Sequence, residues 1–578
     1  MSAHFAAWLR ENDAWIHDAL QWPVVDSATG SRGCGVSEEV PPETVLLTVP
    51  RKLMWVHDRA LAGLGPLVET DRELFEDNEQ LAMATFLLQE AFSARGVSRL
   101  MSVDSEGQEE PEDVSDLLEE EISPWEPYLR MLPPMSHFSG LPFLWSEEEL
   151  SLLGDKSWAS ACRFRLEELR GEFARVQALL EPWRDTIPRS GELHIRRLGR
   201  LANRWTWEAF SWAQCVYRTR CFLDGLSMGG LFALEGMDAH LGFAMVPFVD
   251  MLNHSATNEN ATVDWEGDEL DEEEEGGTID PEALMRGGWD ASAWGHAGGG
   301  DAEGKAKSRT GRWDPARPWG IGVPPGTSAG VCHVVVGETP IRAGDEVCIS
   351  YGSERAMFDL VETYGFFDRD ADIDRETMLV PLPSSALCHD FPREDDMDGI
   401  LWAIRDVGYT ANNMSSLIEK QGAAGWLSLG MGDRTVPSFL ESLRAVRVLC
   451  FSEGVGYGDD EAALVEFSRP EREVQALQFM RELIDQCLAE LDVAPDVSGG
   501  DDVSPVRAIA TEYRARRRRV LETHQQLEES LLSTVGHFGG CEPVPRDTFT
   551  PLKELSFANH DLLVSYLQVW ARFAPGKE

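Results

Sequence analysis

Four short segments carry residues able to do chemistry. In Pro247-Phe-Val-Asp-Met-Leu-Asn-His-Ser255 an apolar run, including Val249, leads directly into Asp250, Asn253 and His254. Asn and His each offer a donor and an acceptor, which suits reading the edge of a purine ring or fixing a chain crossing. Taken alone, the run reads first as a capped turn around a core histidine. Ala343-Gly-Asp-Glu-Val-Cys-Ile-Ser-Tyr351-Gly352 predicts a turn, a strand and a tyrosine at the strand's end. A second Tyr-Gly pair follows at Tyr364-Gly365-Phe366. Two tyrosines so placed supply either ordinary packing or an aromatic wall with inward hydroxyls. Trp212 to Phe222 reads as a helix running into Arg220, whose guanidinium suits a bidentate carboxylate contact or a surface ion pair. Arg32-Gly33-Cys34-Gly35-Val36 is a GxG turn ahead of the first strong strand, a pattern that any tight turn also uses.

The elements that must position these residues are legible in outline. Glu43 to Val49 is aliphatic and β-branched and ends at Pro50, which predicts a buried strand, and His333–Val336 and Glu346–Tyr351 return to strand character. Glu79–Ala91 and Leu166–Leu180 are predicted helices, the second with Leu166, Leu169, Phe173, Val176 and Leu180 on one face. Residues 1–20 read as one amphipathic helix. Beyond about residue 375 the pattern stays helical: Val474, Leu477, Ile484, Leu488 and Leu491 mark one face, and Val506, Ile509, Tyr513, Val520, Leu527 and Leu531 another. The basic run Arg514 to Arg519 between Tyr513 and Val520 is expected to be a solvated face that pairs with acids. No internal repeat of solenoid period is present.

Composition excludes several classes. Of 578 residues, 43% are hydrophobic and 19 are Trp, as in a globular protein, and the length predicts two or three domains. No apolar run reaches the roughly 18 residues of a membrane span, and the N-terminus has neither signal-peptide nor transit-peptide character. A soluble protein of the cytosol or nucleus is expected, with a plastid left open. Ten cysteines without a CxxC pair predict a reducing compartment and no structural zinc, so no metal is expected. A net charge of -49 opposes phosphate backbones, so no nucleic-acid partner is expected and a basic protein partner is easier to accommodate. Residues 102–121 and about 264–330 are acidic or rich in Gly, Ala and Pro, and read as largely disordered surface insertions. The second holds Trp289, Trp294, Trp313 and Trp319, more than a solvating linker needs.

Together the four segments resemble the SET-domain methyltransferases, in the branch typified by the Rubisco large-subunit methyltransferase. That branch carries a GxG turn, then W-x-x-Y-x-x-x-L-P, matched by Trp125, Tyr128, Leu132 and Pro133. Next come S/T-R-x-F at Thr219 to Phe222, D-x-x-N-H-S at Asp250 to Ser255, G-[DE]-E-V-x-I-x-Y at Gly344 to Tyr351, and Y-G-F at Tyr364 to Phe366. The N-H-S signature joined to paired tyrosines is the specific part. Arg32 departs from the pattern, standing where relatives often have an acid.

The resemblance implies an α+β protein. A SET-domain β-fold with a pseudoknot, residues 1–375, would be interrupted by a helical insertion at about 76–205. An all-α substrate-binding domain at 376–578 would follow. It implies S-adenosylmethionine as cofactor, lined by Arg32, Gly33, Cys34, Asp250 and Tyr364, with Arg220 on the methionine carboxylate and Asn253 and His254 at the adenine. Tyr351 would be the catalytic tyrosine, with Phe222, Val249 and Phe366 along the substrate channel and the acceptor a lysine of another protein. A monomer is expected. Histidine methylation and a non-catalytic adaptor on the same scaffold are the alternatives. A Rossmann methyltransferase fails, because Gly33-Cys-Gly35 leads to a strand and not to a helix.

Overall fold

The computed structural model describes residues 3–25, 32–101, 121–184, 193–223, 242–255, 257–267, 321, 330–351, 357–368, 376–383, 423–451, 470–495, 504–538, 563 and 565–569. Residues 102–120, nearly all of 268–329 with their four tryptophans, and Gly352 lie outside the described residues. The architecture is α+β. One sheet has the order β1 (Trp15–Ile16), β4 (Val45–Pro50), β10 (Gly330–Val336), β9 (Ala261–Gly267). A second runs β2 (Leu20–Val25), β3 (Arg32–Val36), β11 (Glu346–Ile349), β8 (Asn253–His254), and a third β5 (Trp55–Val56), β7 (Phe243–Met245), β6 (Cys221–Leu223). Pairing in these sheets is antiparallel except between β11 and β8.

The predicted N-terminal helix is shorter than expected. α1 (Ala3–Glu11) ends before Asp13, whose φ of 65° leaves the helical region. Trp15 and Ile16 then pair with Thr48 and Leu47, a tertiary contact that local periodicity does not report. Between β5 and β6 every described element is helical, from His57 to Arg220, a wider span than 76–205. It includes α2 (Glu79–Ala91), α3 (Lys156–Leu180), α4 (Leu193–Arg204) and α5 (Trp207–Arg220). Asp155 caps α3 by accepting from the Ser157 and Trp158 amides at 3.1 and 3.0 Å.

α3 joins two hydrophobic cores. Its C-terminal half, through Leu169, Val176 and Leu180, packs with Leu46, Leu47, Trp55 and Trp125 of the sheet region. The N-terminal half, through Trp158, Cys162 and Phe164, packs instead with the C-terminal elements. These are α6 (Met357–Tyr364), β12 (Thr377–Pro383), β13 (Ala423–Gly430), α7 (Thr435–Phe451), α8 (Pro470–Val493) and α9 (Pro505–Phe538).

The C-terminal region is not all-α, which corrects the sequence expectation. β12 and β13 pair antiparallel, with Met378, Val380 and Leu382 of one and Leu427 and Leu429 of the other buried. That is a period of two, but over runs so short that periodicity alone does not separate a strand from a buried helix. α8 and α9 follow the predicted faces: Leu477, Ile484, Leu491, Val506, Tyr513, Val520, Leu527 and Leu531 are all buried. The arginine run is corrected in part, since Arg516 and Arg517 are buried and not solvated. Arg517 Nη1 lies 2.7 Å from Asp155 Oδ2, which also accepts from Tyr513 at 2.6 Å, and Arg516 lies 2.6 Å from Glu376. One turn of helix separates 513 from 517, so the inner stripe of α9 necessarily takes one of the arginines inward. Among the described residues no helix is long and apolar enough to cross a membrane.

Candidate active site

One four-residue strand assembles the site. β11 pairs antiparallel with β3, placing Val347 opposite Cys34, and parallel with β8, placing Cys348 opposite Asn253 and Ile349 opposite His254. The GxG segment, the Asn-His pair and the approach to Tyr351 therefore meet although they lie far apart in the chain. Asn253 closes the junction: its Nδ2 donates to the Arg32 carbonyl at 3.1 Å and to Glu346 Oε1 at 2.7 Å. Of the two uses open to this side-chain amide, fixing a chain crossing is the one observed. Asn260 adds a further tie, donating to the Glu346 carbonyl at 2.8 Å and accepting from the Cys348 amide at 2.9 Å. Glycine at position 33 leaves room for this contact, because a Cβ would stand 1.7 Å from Glu346 Oε1 and 2.8 Å from Asn253 Nδ2 and would displace both side chains. The buried Cys34 thiol is pushed well up by burial and by the charges of Glu346 and Asp250, so it stays protonated and is no nucleophile.

Arg220 ends α5 and reaches the same junction. Its Nη1 donates to the Asp250 carbonyl at 2.5 Å and lies 3.6 Å from Asp250 Oδ2, which accepts from Tyr128 at 2.8 Å. Asp250 is buried two residues after Phe248, whose φ of 78° is an outlier for a bulky side chain and marks stored strain. Burial raises the Asp250 carboxyl, against the lowering pull of Arg220 and the Tyr128 hydrogen bond. Asp250 Oδ1 and Arg220 Nε are buried without a hydrogen-bond partner. An open acceptor and an open donor at one junction suit a ligand bearing both an ammonium and a carboxylate.

Tyr351 completes the cluster. Its hydroxyl donates to the Leu252 carbonyl at 2.7 Å, and its backbone N–H donates to His254 Nδ1 at 3.0 Å. The Tyr351 ring lies 4.6 Å from that of Tyr364 and 5.2 Å from that of His254, and Phe366 stands 6.1 Å from Tyr364. Burial pushes the Tyr351 phenol up, against the lowering effect of Arg220 and with a further rise from Tyr364 and Asp250, so it stays protonated as a donor. Gly365, at φ 75°, lets the chain turn between Tyr364 and Phe366 against the backbone of Gly140, where a Cβ would sit 2.8 Å from the Gly140 carbonyl carbon.

No family model and no curated relative matches the sequence. Solved structures do. A SET domain of LSMT bound to lysine and AdoHcy aligns over 96% of this chain and 98% of its own, at 17% identity and TM-score 0.51. Rubisco LSMT bound to sinefungin and monomethyllysine aligns over 98% and 99%, at 17% identity and TM-score 0.52. The same enzyme bound to AdoMet aligns over 97% and 98%, at 17% and 0.50. The chain has the SET-domain fold of Rubisco LSMT.

Within this SET fold, most of the residues singled out from sequence converge. Arg32 contributes its carbonyl, Gly33 and Cys34 the strand beside it, and Asp250, Asn253, His254, Arg220, Tyr351, Tyr364 and Phe366 the surrounding side chains. Two channel candidates stand apart. Val249 is wholly enclosed in the core, and Phe222 is half-buried on β6 against that same core. Tyr128, Glu346, Asn260 and Leu252 take part and were not assigned these roles from sequence. The only signal for Tyr128 was its place in the W-x-x-Y segment. The charges of Arg220 and Arg32 also reach His137, whose imidazole is lowered from its ordinary value by desolvation and by these two charges. Among the described residues no group of three His, Cys, Asp or Glu is placed to hold a metal ion.

Proposed function

We propose that the chain is an S-adenosylmethionine-dependent methyltransferase that modifies a lysine side chain of another protein. The observation that carries this reading is the meeting, on β11, of the GxG strand, the Asn-His pair and a protonated tyrosine inside an aromatic cluster. Asp250 Oδ1 and Arg220 Nε, without hydrogen-bond partners, would hold the amino-acid end of the cofactor, and Gly33, Cys34, Asn253 and His254 would border the rest. When bound, S-adenosylmethionine supplies an electrophilic methyl on a positively charged sulfur.

The remaining chemistry belongs to the chain. A lysine amine has an ordinary pKa near 10.4 and attacks only when uncharged. Tyr364 and Phe366 exclude water from the approach to Tyr351, which favours the neutral amine. Tyr351, anchored by its hydroxyl to the Leu252 carbonyl, aligns the amine; orientation of this kind supplies roughly 7–11 kcal/mol of barrier reduction. Because its phenol stays protonated, Tyr351 acts by position and hydrogen bonding and not as the base. LSMT structures were solved with lysine and with monomethyllysine, which supports lysine as the acceptor. Residues 376–578, with β12–β13 and the long helices, are read as the region that holds the protein substrate.

Isothermal titration of the purified chain with S-adenosylmethionine tests the reading. Saturable binding, lost in Arg220→Ala and in Asn253→Ala, is expected. No binding by the folded wild type would leave a SET scaffold serving as an adaptor.

A further inference from the structure

The imidazole of His254 lies between a donor and an acceptor. Its Nδ1 is 3.0 Å from the Tyr351 backbone N–H and 3.3 Å from the Ile349 carbonyl oxygen. Accepting from Tyr351 needs a lone pair on Nδ1, whereas donating to Ile349 needs a proton there, so the ring's tautomer decides which contact is made. On the far side Nε2 lies 3.8 Å from Asp368 Oδ2, and the two side chains are only 2% and 10% exposed. That separation is too long for a hydrogen bond. A carboxylate so close, with little water between, still favours the proton on Nε2.

We propose that Asp368 is a positioning residue: it holds His254 in the Nε2–H form, leaving Nδ1 to accept from Tyr351 N–H and so fixing the backbone that aims the Tyr351 hydroxyl at Leu252. Three features of the surroundings support this. The His254 and Tyr351 rings are stacked at 25°, so a rotation of one displaces the other. Asp368 follows Phe366 closely, and the chain there is pinned where Gly365 packs on Gly140. Cys348, opposite Asn253 in the β11–β8 pair, has its thiol pushed up to about 12 by burial and by Glu346 and Asp368, so it stays neutral and adds no competing charge. The inference rests on reading His254 and Tyr351 as parts of the cofactor and methyl-transfer site, and it adds to that site a residue acting only through another.

The test is nuclear magnetic resonance of the full chain carrying ring-nitrogen-labelled histidine, with the His254 signals identified by their loss in His254→Gln. Wild type is expected to show a bare Nδ1 and a protonated Nε2. In Asp368→Asn the Nδ1-protonated form should appear, with affinity for S-adenosylmethionine falling by about tenfold, the scale on which partners that orient an imidazole act. Asp368→Glu, which keeps the carboxylate, should restore both. A folded Asp368→Asn with an unchanged His254 tautomer overturns the proposal. So does a wild type already protonated on Nδ1, which decides the matter even if the variant fails to fold. Loss of S-adenosylmethionine binding in wild type would instead overturn the functional reading, while the tautomer still decides the pair.

Discussion

The junction around β11 and the core beneath α8 and α9 both concentrate polar side chains, but they use them differently. In the C-terminal core Arg447, Glu473, Arg517 and Glu528 are buried on side chains that already have opposite charges: Arg447 is 3.1 Å from Glu473, Arg481 is 3.2 Å from Glu528, and Arg517 is 2.7 Å from Asp155. At the junction Arg220, Asn253 and Tyr351 sit beside a strained Phe248 and bond to main-chain oxygens, Arg220 to the Asp250 carbonyl, Asn253 to the Arg32 carbonyl and Tyr351 to the Leu252 carbonyl. A buried charge with its counter-charge beside it is already committed within the fold. Side chains that rest mainly on main-chain oxygens keep further donor and acceptor capacity for a ligand.

This contrast is open to test, because substitutions in the two regions should separate activity from stability. The largest expected effect is on turnover. Tyr351→Phe should lower methyl transfer by about 10²–10³-fold, the scale of a lost transition-state hydrogen bond, with melting temperature and S-adenosylmethionine affinity nearly unchanged. Radiolabelled methyl incorporation beside calorimetry would measure both; full turnover would remove Tyr351 from the mechanism. Arg517→Met should do the reverse, costing about 3–5 kcal/mol in urea unfolding because Asp155 is left charged and buried. Cofactor affinity should hardly move.

Gly33→Ala comes next and joins the two behaviours. Its new methyl meets Glu346 and Asn253, so a stability loss of about 1–3 kcal/mol should accompany weakened binding. Stability loss with unaltered affinity would show that the β3–β11 junction does not border the ligand.

The smallest expected effect is a pH dependence in the C-terminal core. Burial raises the Glu528 carboxyl to about 7, against the pull of Arg481 and with a further rise from Glu529 and Asp485. An acid raised on folding binds more protons in the native state than in the unfolded chain between its unfolded value, near 4.3, and about 7. Its contribution to stability therefore falls as pH rises through that window and is level above it. Glu528→Gln should flatten this slope, with a gain of about 1 kcal/mol at pH 8, as read from denaturation midpoints. An unchanged slope would assign the pH dependence to other groups.

Residue identity in short windows made much of the site legible. Asp250, Asn253, His254, Tyr351 and Tyr364 stood out as groups able to do chemistry, and the resemblance of their segments to the SET-domain methyltransferases gave them roles, although no family model matches the chain. The faces of α8 and α9 were equally plain, because a helix brings its own stripe together at a three- or four-residue step. What the windows did not contain was the identity of partners. The Asn253 amide bonds Glu346 and Arg32, and nothing within a few residues of any of them says so.

The sequence by itself determined the class of elements, the long helical faces and the set of side chains able to do chemistry. Tertiary structure alone decided that β12 and β13 are strands, that Arg517 turns inward to Asp155, that Val249 lies in the core and that Asp368 reaches His254. The reason is physical. Local periodicity depends on neighbours along the chain, whereas strand register and the pairing of buried charges depend on which surfaces the whole fold brings into contact.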